Sequence, residues 1–194
     1  AESPDYVPDG ARLVRICGLC LENGKEVDFS PEDRETLLKG MPDEGRRMAD
    51  AMYERMLFGN KAFKELFRAL EAGETPILFH CSAGKDRAGV ISALLLRLLG
   101  AEDSAIYADY LYTNTALSHE LEEAQSAALA LSGDERAANY VLGFFAACPC
   151  WLAAALDTLD KRFYSIEGYI AQMTKVTGWE AEEFKRICIE KSPD

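Results

Sequence analysis

The chain has 194 residues, 48% of them hydrophobic, and a formal net charge of −12. This size and apolar content are typical of one globular domain with a buried core, and they exclude a disordered or collagen-like chain. The acidic charge argues against nucleic acid and anionic membrane surfaces as partners. The longest apolar run, residues 90–99, contains Arg97 and is too short to cross a bilayer, so no integral membrane segment is predicted.

The first half of the chain mixes strand-like and helix-like patterns. Residues 11–19 (ARLVRICGL) alternate apolar and basic side chains, which predicts a strand at about 12–17. Ser30 and Pro31 mark a helix start, and helical patterns follow at 32–39, 44–57 and 61–72. Residues 77–80 (ILFH) follow Thr75–Pro76 and predict a short buried strand.

The second half is predicted to be helical. The helical patterns cover residues 89–99, 103–115, 119–131, 135–147, 151–163, 166–176 and 180–190. Tyr107, Tyr110 and Tyr112 lie on both sides of one of these helices and are interpreted as packing residues. The predicted fold class is α/β: a small central sheet flanked by helices, with a mostly helical C-terminal half, in one domain over residues 1–194.

Six cysteines are spaced irregularly along the chain. Cys17 and Cys20 form a C-x-x-C pair and Cys148 and Cys150 a second close pair, so zinc or redox pairing is an alternative for them. A chain this apolar does not need disulfides to fold, which favours a reducing, cytoplasmic setting, with secretion of a processed form left open.

The most informative stretch is residues 79–90, FHCSAGKDRAGV. A short apolar segment leads into a loop containing Gly84, and a helical pattern leads out. A loop that ends at a helix N-terminus directs several backbone N–H groups and the positive end of the helix dipole at one point. Arg87 adds a planar fork for two phosphate oxygens, and Lys85 adds a second positive charge. The same positive potential favours the thiolate form of a cysteine at position 81.

On this loop the sequence resembles the cysteine-based protein tyrosine phosphatases, in particular the bacterial branch with an HCxAGKDR phosphate loop. Residues 106–115 (IYADYLYTNT) look like the segment after the loop helix in that family, and residues 151–187 look like its C-terminal helices. Members of this branch act on phosphotyrosine, some also on phosphoserine or phosphothreonine, and often on phosphoinositides. The resemblance implies a tyrosine-phosphatase-like fold and a phosphatase reaction that needs no cofactor and no metal.

The resemblance also implies the roles of individual residues. Cys81 would be the nucleophile that forms a phosphocysteine, and His80 would support its thiolate. Asp86 would be the general acid; the alternatives are Asp43, in a mobile-loop arrangement, and Asp109. The phosphate would be bound by the loop residues Ser82, Ala83, Gly84, Lys85, Asp86 and Arg87.

Two departures from the family pattern lead to further expectations. The family places Ser or Thr directly after the loop arginine, whereas this chain has Ala88; slow hydrolysis of the phosphocysteine is therefore expected, with Ser92 as a partial substitute. The family's N-terminal strands and its Arg-Asp-Leu-Gly-Gly type segment are not seen here. We therefore expect the chain to be the C-terminal part of a longer domain, or a partner chain to complete the sheet.

The sequence favours hydrolysis of phosphotyrosine in proteins, with phosphoserine and phosphothreonine as further protein substrates. Phosphoinositide hydrolysis is the nearest alternative, and it uses the same chemistry. A pseudophosphatase, which binds phosphate with little turnover, is an alternative of another class. Sulfur transfer by a rhodanese-like loop is disfavoured, because such a loop does not need Asp86.

Overall fold

The structure, a computed structural model, describes residues 5–19, 50, 52–58, 60–174, 185 and 188. Its helices, in chain order, are α1 Lys61–Glu71, α2 Asp86–Leu98, α3 Asp103–Ala116, α4 Ser118–Ser132, α5 Glu135–Phe145, α6 Pro149–Phe163 and α7 Ile166–Thr174. These helices agree with the predicted helical patterns to within a few residues at their ends. The helix predicted at 32–39 lies outside the described residues. Half of the helix predicted at 44–57 is described, and of the one at 180–190 only residues 185 and 188 are described.

The predicted central sheet is wrong for the part of the chain that the structure describes. Residues 11–19 and 77–80 are described and neither segment is a strand. A strand exists only when its backbone pairs with a neighbour, and the backbone hydrogen bonds of the described residues close helices, caps and turns instead. The 77–80 segment is not buried as predicted either, since Leu78 is 91% exposed.

The core is built around α2, which packs against α3 and α7. Its apolar positions recur with helical spacing and are buried: Ala88, Gly89, Val90, Ile91, Ala93, Leu94 and Leu98. Helix α6 contributes Leu152 and Leu159, both fully buried, and packs against α3 and α7. Each fully buried side chain of this size stabilises the fold by about 1.5–3 kcal/mol. This core fixes the first turn of α2, and therefore the loop that precedes it.

Asn60 fastens the N-terminal segment to α1. Its Oδ1 accepts hydrogen bonds from the backbone N–H groups of Ala62 and Phe63, at 2.9 and 3.3 Å, which caps the helix. Its Nδ2 donates to the carbonyl oxygen of Gly18 at 2.8 Å and to that of Met56 at 3.0 Å. One buried amide thus places residues 15–19 alongside α1.

Helices α4 and α5 form a hairpin. The turn contains Gly133, whose φ of 64° lies in the left-handed region that glycine tolerates, and Asp134, whose side chain caps α5. Gln125 of α4 donates to Asn139 of α5 at 2.8 Å. Helix α4 has no buried residue, and Leu131 in its last turn is 90% exposed. The hairpin leads the chain back to the 146–150 segment, beside the first turn of α2.

Candidate active site

The loop from Cys81 to Arg87 joins the irregular segment 77–80 to α2. Residues 82–85 form bends and the helix begins at Asp86. Gly84 has φ of 67°, so a residue with a Cβ would be strained at this position. The Arg87 guanidinium donates from Nη2 to Ser82 Oγ at 3.2 Å, a bond across the loop. The local geometry therefore brings Arg87 against Ser82, the residue that follows Cys81.

Cys81 is half-buried, and His80 before it is exposed. The His80 ring lies with Nδ1 3.3 Å from the Cys81 carbonyl oxygen, so it contacts the backbone of the predicted nucleophile. Its other nitrogen, Nε2, lies 3.5 Å from Asp5 Oδ1. His80 thus links the loop to the N-terminal segment, and its support of the Cys81 thiolate stays a prediction.

Lys85 does not extend into solvent. Only 4% of it is exposed, and its ammonium group lies 3.3 Å from Asp86 Oδ1, 3.3 Å from the Ala146 carbonyl oxygen and 5.2 Å from the centre of the Trp151 ring. A buried ammonium is stable only where such partners replace water. Its side-chain charge is therefore directed at Asp86 and the interior, while its backbone belongs to the loop.

Asp86 is held by a second group that the sequence did not reveal. Tyr53 donates its hydroxyl to Asp86 Oδ1 at 2.6 Å, and the Tyr53 and Tyr110 hydroxyl oxygens are 2.7 Å apart. Burial, followed by the negative charge of Asp86, raises the pKa of Tyr53 far above its usual value. Burial likewise raises the pKa of Tyr110 to about 12. Both hydroxyls are therefore neutral near pH 7, so Tyr53 can act as a donor to the carboxylate.

The 146–150 segment supports this network through its backbone. Asn114 forms two hydrogen bonds with Ala147: Nδ2 donates to the carbonyl oxygen at 3.0 Å, and Oδ1 accepts from the N–H at 2.6 Å. Cys148 and Cys150 form a disulfide with a Cα–Cα separation of 5.4 Å, whereas Cys81 is a free thiol. Pairing of Cys148 with Cys150 was one of the alternatives that the sequence left open.

The other sequence candidates lie away from this network or outside the described residues. Asp109 is exposed on α3, next to the buried Tyr110. Asp43 and Cys20 fall outside the described residues. Cys17 is half-buried, and its thiol donates to the Leu19 carbonyl oxygen at 3.2 Å. Across the described part of the chain no cluster of three or more metal-ligating side chains occurs.

Sequence reasoning missed Tyr53, Asn60 and Asn114 because no local signal marks them. A tyrosine in a helical pattern is most often a packing residue, and Tyr53 lies 33 positions before Asp86. Tyr110 was interpreted as a packing residue; it is buried as expected, and it also takes part in the hydrogen-bond network.

A half-buried thiol, a glycine-containing loop, an arginine across the loop and a carboxylate at the helix start are the features that the sequence predicted for a cysteine-based phosphate-binding site. The model of the tyrosine phosphatase family matches residues 3–190. The chain therefore belongs to the tyrosine phosphatase family, as its resemblance on the loop indicated.

Three relatives carry names of the same kind. The chain is 28% identical over 180 residues to the triple specificity protein phosphatase PtpB of Mycobacterium tuberculosis, covering 87% of this chain and 62% of that protein. It is 30% identical over 116 residues to a putative tyrosine-protein phosphatase of Cupriavidus necator, covering 60% and 41%. A tyrosine-protein phosphatase of Nostoc commune is 33% identical over 79 residues, covering 40% and 26%. The chain thus spans less than two thirds of the length of each of these relatives.

No helix in the described ranges is long and apolar enough to cross a membrane. The cytoplasmic location stays a prediction.

Proposed function

We propose that this chain hydrolyses phosphomonoesters through a phosphocysteine on Cys81, with protein phosphotyrosine as the main substrate. The observation that carries the proposal is the loop itself. Arg87 reaches back across it to Ser82, and Gly84 takes the left-handed conformation. The substrate class follows the relatives, whose names describe tyrosine phosphatases. Phosphoserine and phosphothreonine are proposed as further substrates.

In the first step the Cys81 sulfur attacks phosphorus, and the bond between phosphorus and the leaving oxygen breaks. The phosphate oxygens are bound by Arg87 and by the backbone N–H groups of residues 82–86 at the start of α2. Asp86 gives its proton to the leaving oxygen, so that a neutral phenol departs. The contacts from Tyr53 and Lys85 both fall on Oδ1, so we assign Oδ2 to proton transfer.

In the second step water attacks the phosphocysteine. The Asp86 carboxylate takes a proton from the water, the S–P bond breaks and Cys81 leaves as a thiolate. Phosphate is released and the starting protonation state is restored. No metal or cofactor takes part in these proposed steps. The proposal also treats residues 1–194 as one phosphatase domain.

The test is hydrolysis of para-nitrophenyl phosphate and of a phosphotyrosine peptide, in the presence of a chelator. Cys81→Ser should abolish turnover. Cys188→Ser is the matched control, because Cys188 is also a free thiol but is exposed, and it should retain the wild-type rate. Chelator-sensitive activity, or activity that survives Cys81→Ser, would contradict the mechanism. Phosphate binding without turnover in the wild type would favour the pseudophosphatase, for which Ala88 is the motivating residue.

A further inference from the structure

A basic cleft of about 400 Å³ lies between the N-terminal segment and α1. Volumes of this size are typical of sites for small ligands or single side chains. The described residues that line it are Arg15, Ile16, Cys17, Lys61, Lys64, Glu65 and Arg68. Four of these seven side chains are cationic and one is acidic, in a chain whose net charge is −12. A concentration of positive charge in an acidic protein attracts anions to that place.

The helical repeat explains how α1 contributes three of the cations. Lys61, Lys64 and Arg68 are spaced three and four residues apart, so their side chains lie on one face of the helix. Arg68 donates to Glu65 at 2.8 Å, which neutralises part of the charge. Lys64 has no ion-pair partner among the described residues, and it is therefore the position where an added anion should matter most.

The cleft adjoins the phosphate loop through two contacts. Gly18 follows the cleft residue Cys17, and a Cβ on Gly18 would lie 3.3 Å from Cδ of Arg87. Asp5 forms the second contact, because it lies between Arg15 of the cleft and His80. Its Oδ2 lies 3.0 Å from Arg15 Nη2, and its Oδ1 lies 3.5 Å from His80 Nε2. Because an extended chain advances at most about 3.6 Å per residue, Arg15 and Gly18 lie within about 11 Å of each other.

We propose that this cleft binds a second anionic group of a phosphotyrosine peptide, a carboxylate or a second phosphate up to about three residues from the phosphotyrosine. The inference rests on the proposed function, because it takes Arg87 as the place of the first phosphate. Three extended residues span at most about 11 Å, so an anion up to three residues from the phosphotyrosine can reach the cleft while the phosphate is at Arg87. An anionic bilayer is disfavoured by the net charge of −12, so a peptide is the favoured occupant.

The test compares two phosphotyrosine peptides of equal length, with Glu or with Gln three residues before and after the phosphotyrosine. We expect the wild type to prefer the Glu peptide by about tenfold in kcat/KM, as a few exposed charge contacts together would give. The preference should fall with rising salt, because exposed charges are screened. In Lys64→Glu the preference should disappear, while turnover of para-nitrophenyl phosphate stays within about twofold of the wild type.

The design separates a local contact from overall charge. Lys64→Glu creates an i,i+4 pair with Arg68, so the helix should keep its stability. Lys161→Glu changes the net charge by the same amount at a lysine that is 76% exposed on α6 and outside the cleft lining, and it should keep the preference for Glu. A peptide with Lys at the same positions should in turn have a higher kcat/KM with Lys64→Glu than with the wild type.

Equal kcat/KM for the Glu and Gln peptides in the wild type would overturn the inference, and so would an equal loss of preference in Lys161→Glu. If Lys64→Glu slows the hydrolysis of phosphoinositides in vesicles but not the hydrolysis of the Glu peptide, the assignment to peptides is wrong. Peptide binding to Cys81→Ser, followed by fluorescence anisotropy, separates the two proposals. A Glu preference in binding that Lys64→Glu removes supports the cleft even if the wild type shows no turnover, and equal binding overturns it.

Discussion

The Tyr53 hydroxyl donates a 2.6 Å hydrogen bond to Asp86 Oδ1, across 33 residues of sequence. The bond joins the helical residues 52–55 to the first residue of α2. Tyr53 is fully buried, and its hydroxyl and the Lys85 ammonium both hold Oδ1, so the orientation of the carboxyl group depends in part on this tyrosine.

Tyr53→Phe should therefore reduce kcat while leaving KM nearly unchanged. The loss of one hydrogen bond to a charged group predicts a decrease of about tenfold. The decrease should be larger for phosphotyrosine than for para-nitrophenyl phosphate, whose leaving group needs less proton assistance. Tyr110→Phe is the control, because it removes the outer hydroxyl and keeps the bond from Tyr53 to Asp86. An equal loss with both substrates would argue against a positioning role for Tyr53.

Asp86→Asn tests which aspartate donates the proton. If Asp86 is the general acid, kcat on the phosphotyrosine peptide should fall by about 10²–10⁴. Asp109→Asn changes an exposed carboxylate on α3 and should leave kcat unchanged. Circular dichroism of Asp86→Asn checks that the variant remains folded although the buried Lys85 loses its charged partner. A large loss in Asp109→Asn or Asp43→Asn, with activity retained in Asp86→Asn, would transfer the role to that residue.

Ala88→Thr should accelerate the second chemical step. Ala88 is buried in the first turn of α2, next to the arginine of the loop, where the family carries a hydroxyl. We expect the wild type to show a rapid burst of phenol followed by a slow steady state. A hydroxyl that hydrogen-bonds the leaving sulfur should raise the steady-state rate by about tenfold, and Ser92→Ala should lower it if Ser92 substitutes in part. Stopped-flow traces of the wild type without a burst would contradict this expectation.

Gly89→Ala should disturb the tyrosine pair from the side of α2. A Cβ at position 89 would lie 2.9 Å from Cδ2 of Tyr110, closer than atoms in contact allow. The ring must move, so both activity and the free energy of unfolding should fall, although alanine favours a helix over glycine by about 1 kcal/mol. Gly143→Ala in α5 meets nothing within 4 Å and should instead stabilise the protein. Urea denaturation of the two variants gives the comparison.

Stability should decline in alkaline solution because of the buried tyrosines. An unfolded tyrosine loses its proton near pH 10, whereas the pKa of Tyr110 is raised to about 12 and that of Tyr53 is raised further, in both cases chiefly by burial. Between pH 10 and 12 the unfolded chain binds fewer protons than the folded one. The stability that is fully present below pH 10 is therefore lost as the pH rises.

Urea denaturation at several pH values checks this decline. A Tyr53→Phe/Tyr110→Phe variant should lose less stability between pH 10 and 12 than the wild type does. An equal decline in the two proteins would mean that other groups cause it.

The phosphate loop and the helices could be predicted from the sequence because their signals are local. The loop is seven consecutive residues, Cys81 to Arg87, and Gly84 and the start of α2 follow from that stretch alone. Helical periodicity is equally local. The central sheet was predicted wrongly because a strand needs a distant partner, and apolar patterns at 11–19 and 77–80 do not say whether one is present.

Only the tertiary structure decided what surrounds the loop. Tyr53 reaches Asp86, and Asn60 sets residues 15–19 beside α1, through contacts between segments that are far apart in sequence. The sequence predicted that Lys85 adds positive charge to the loop, yet its side chain is buried because Asp86, Ala146 and Trp151 replace its water. The residues of the proposed chemistry are adjacent in sequence, whereas their surroundings depend on packing, which brings distant residues within hydrogen-bonding distance.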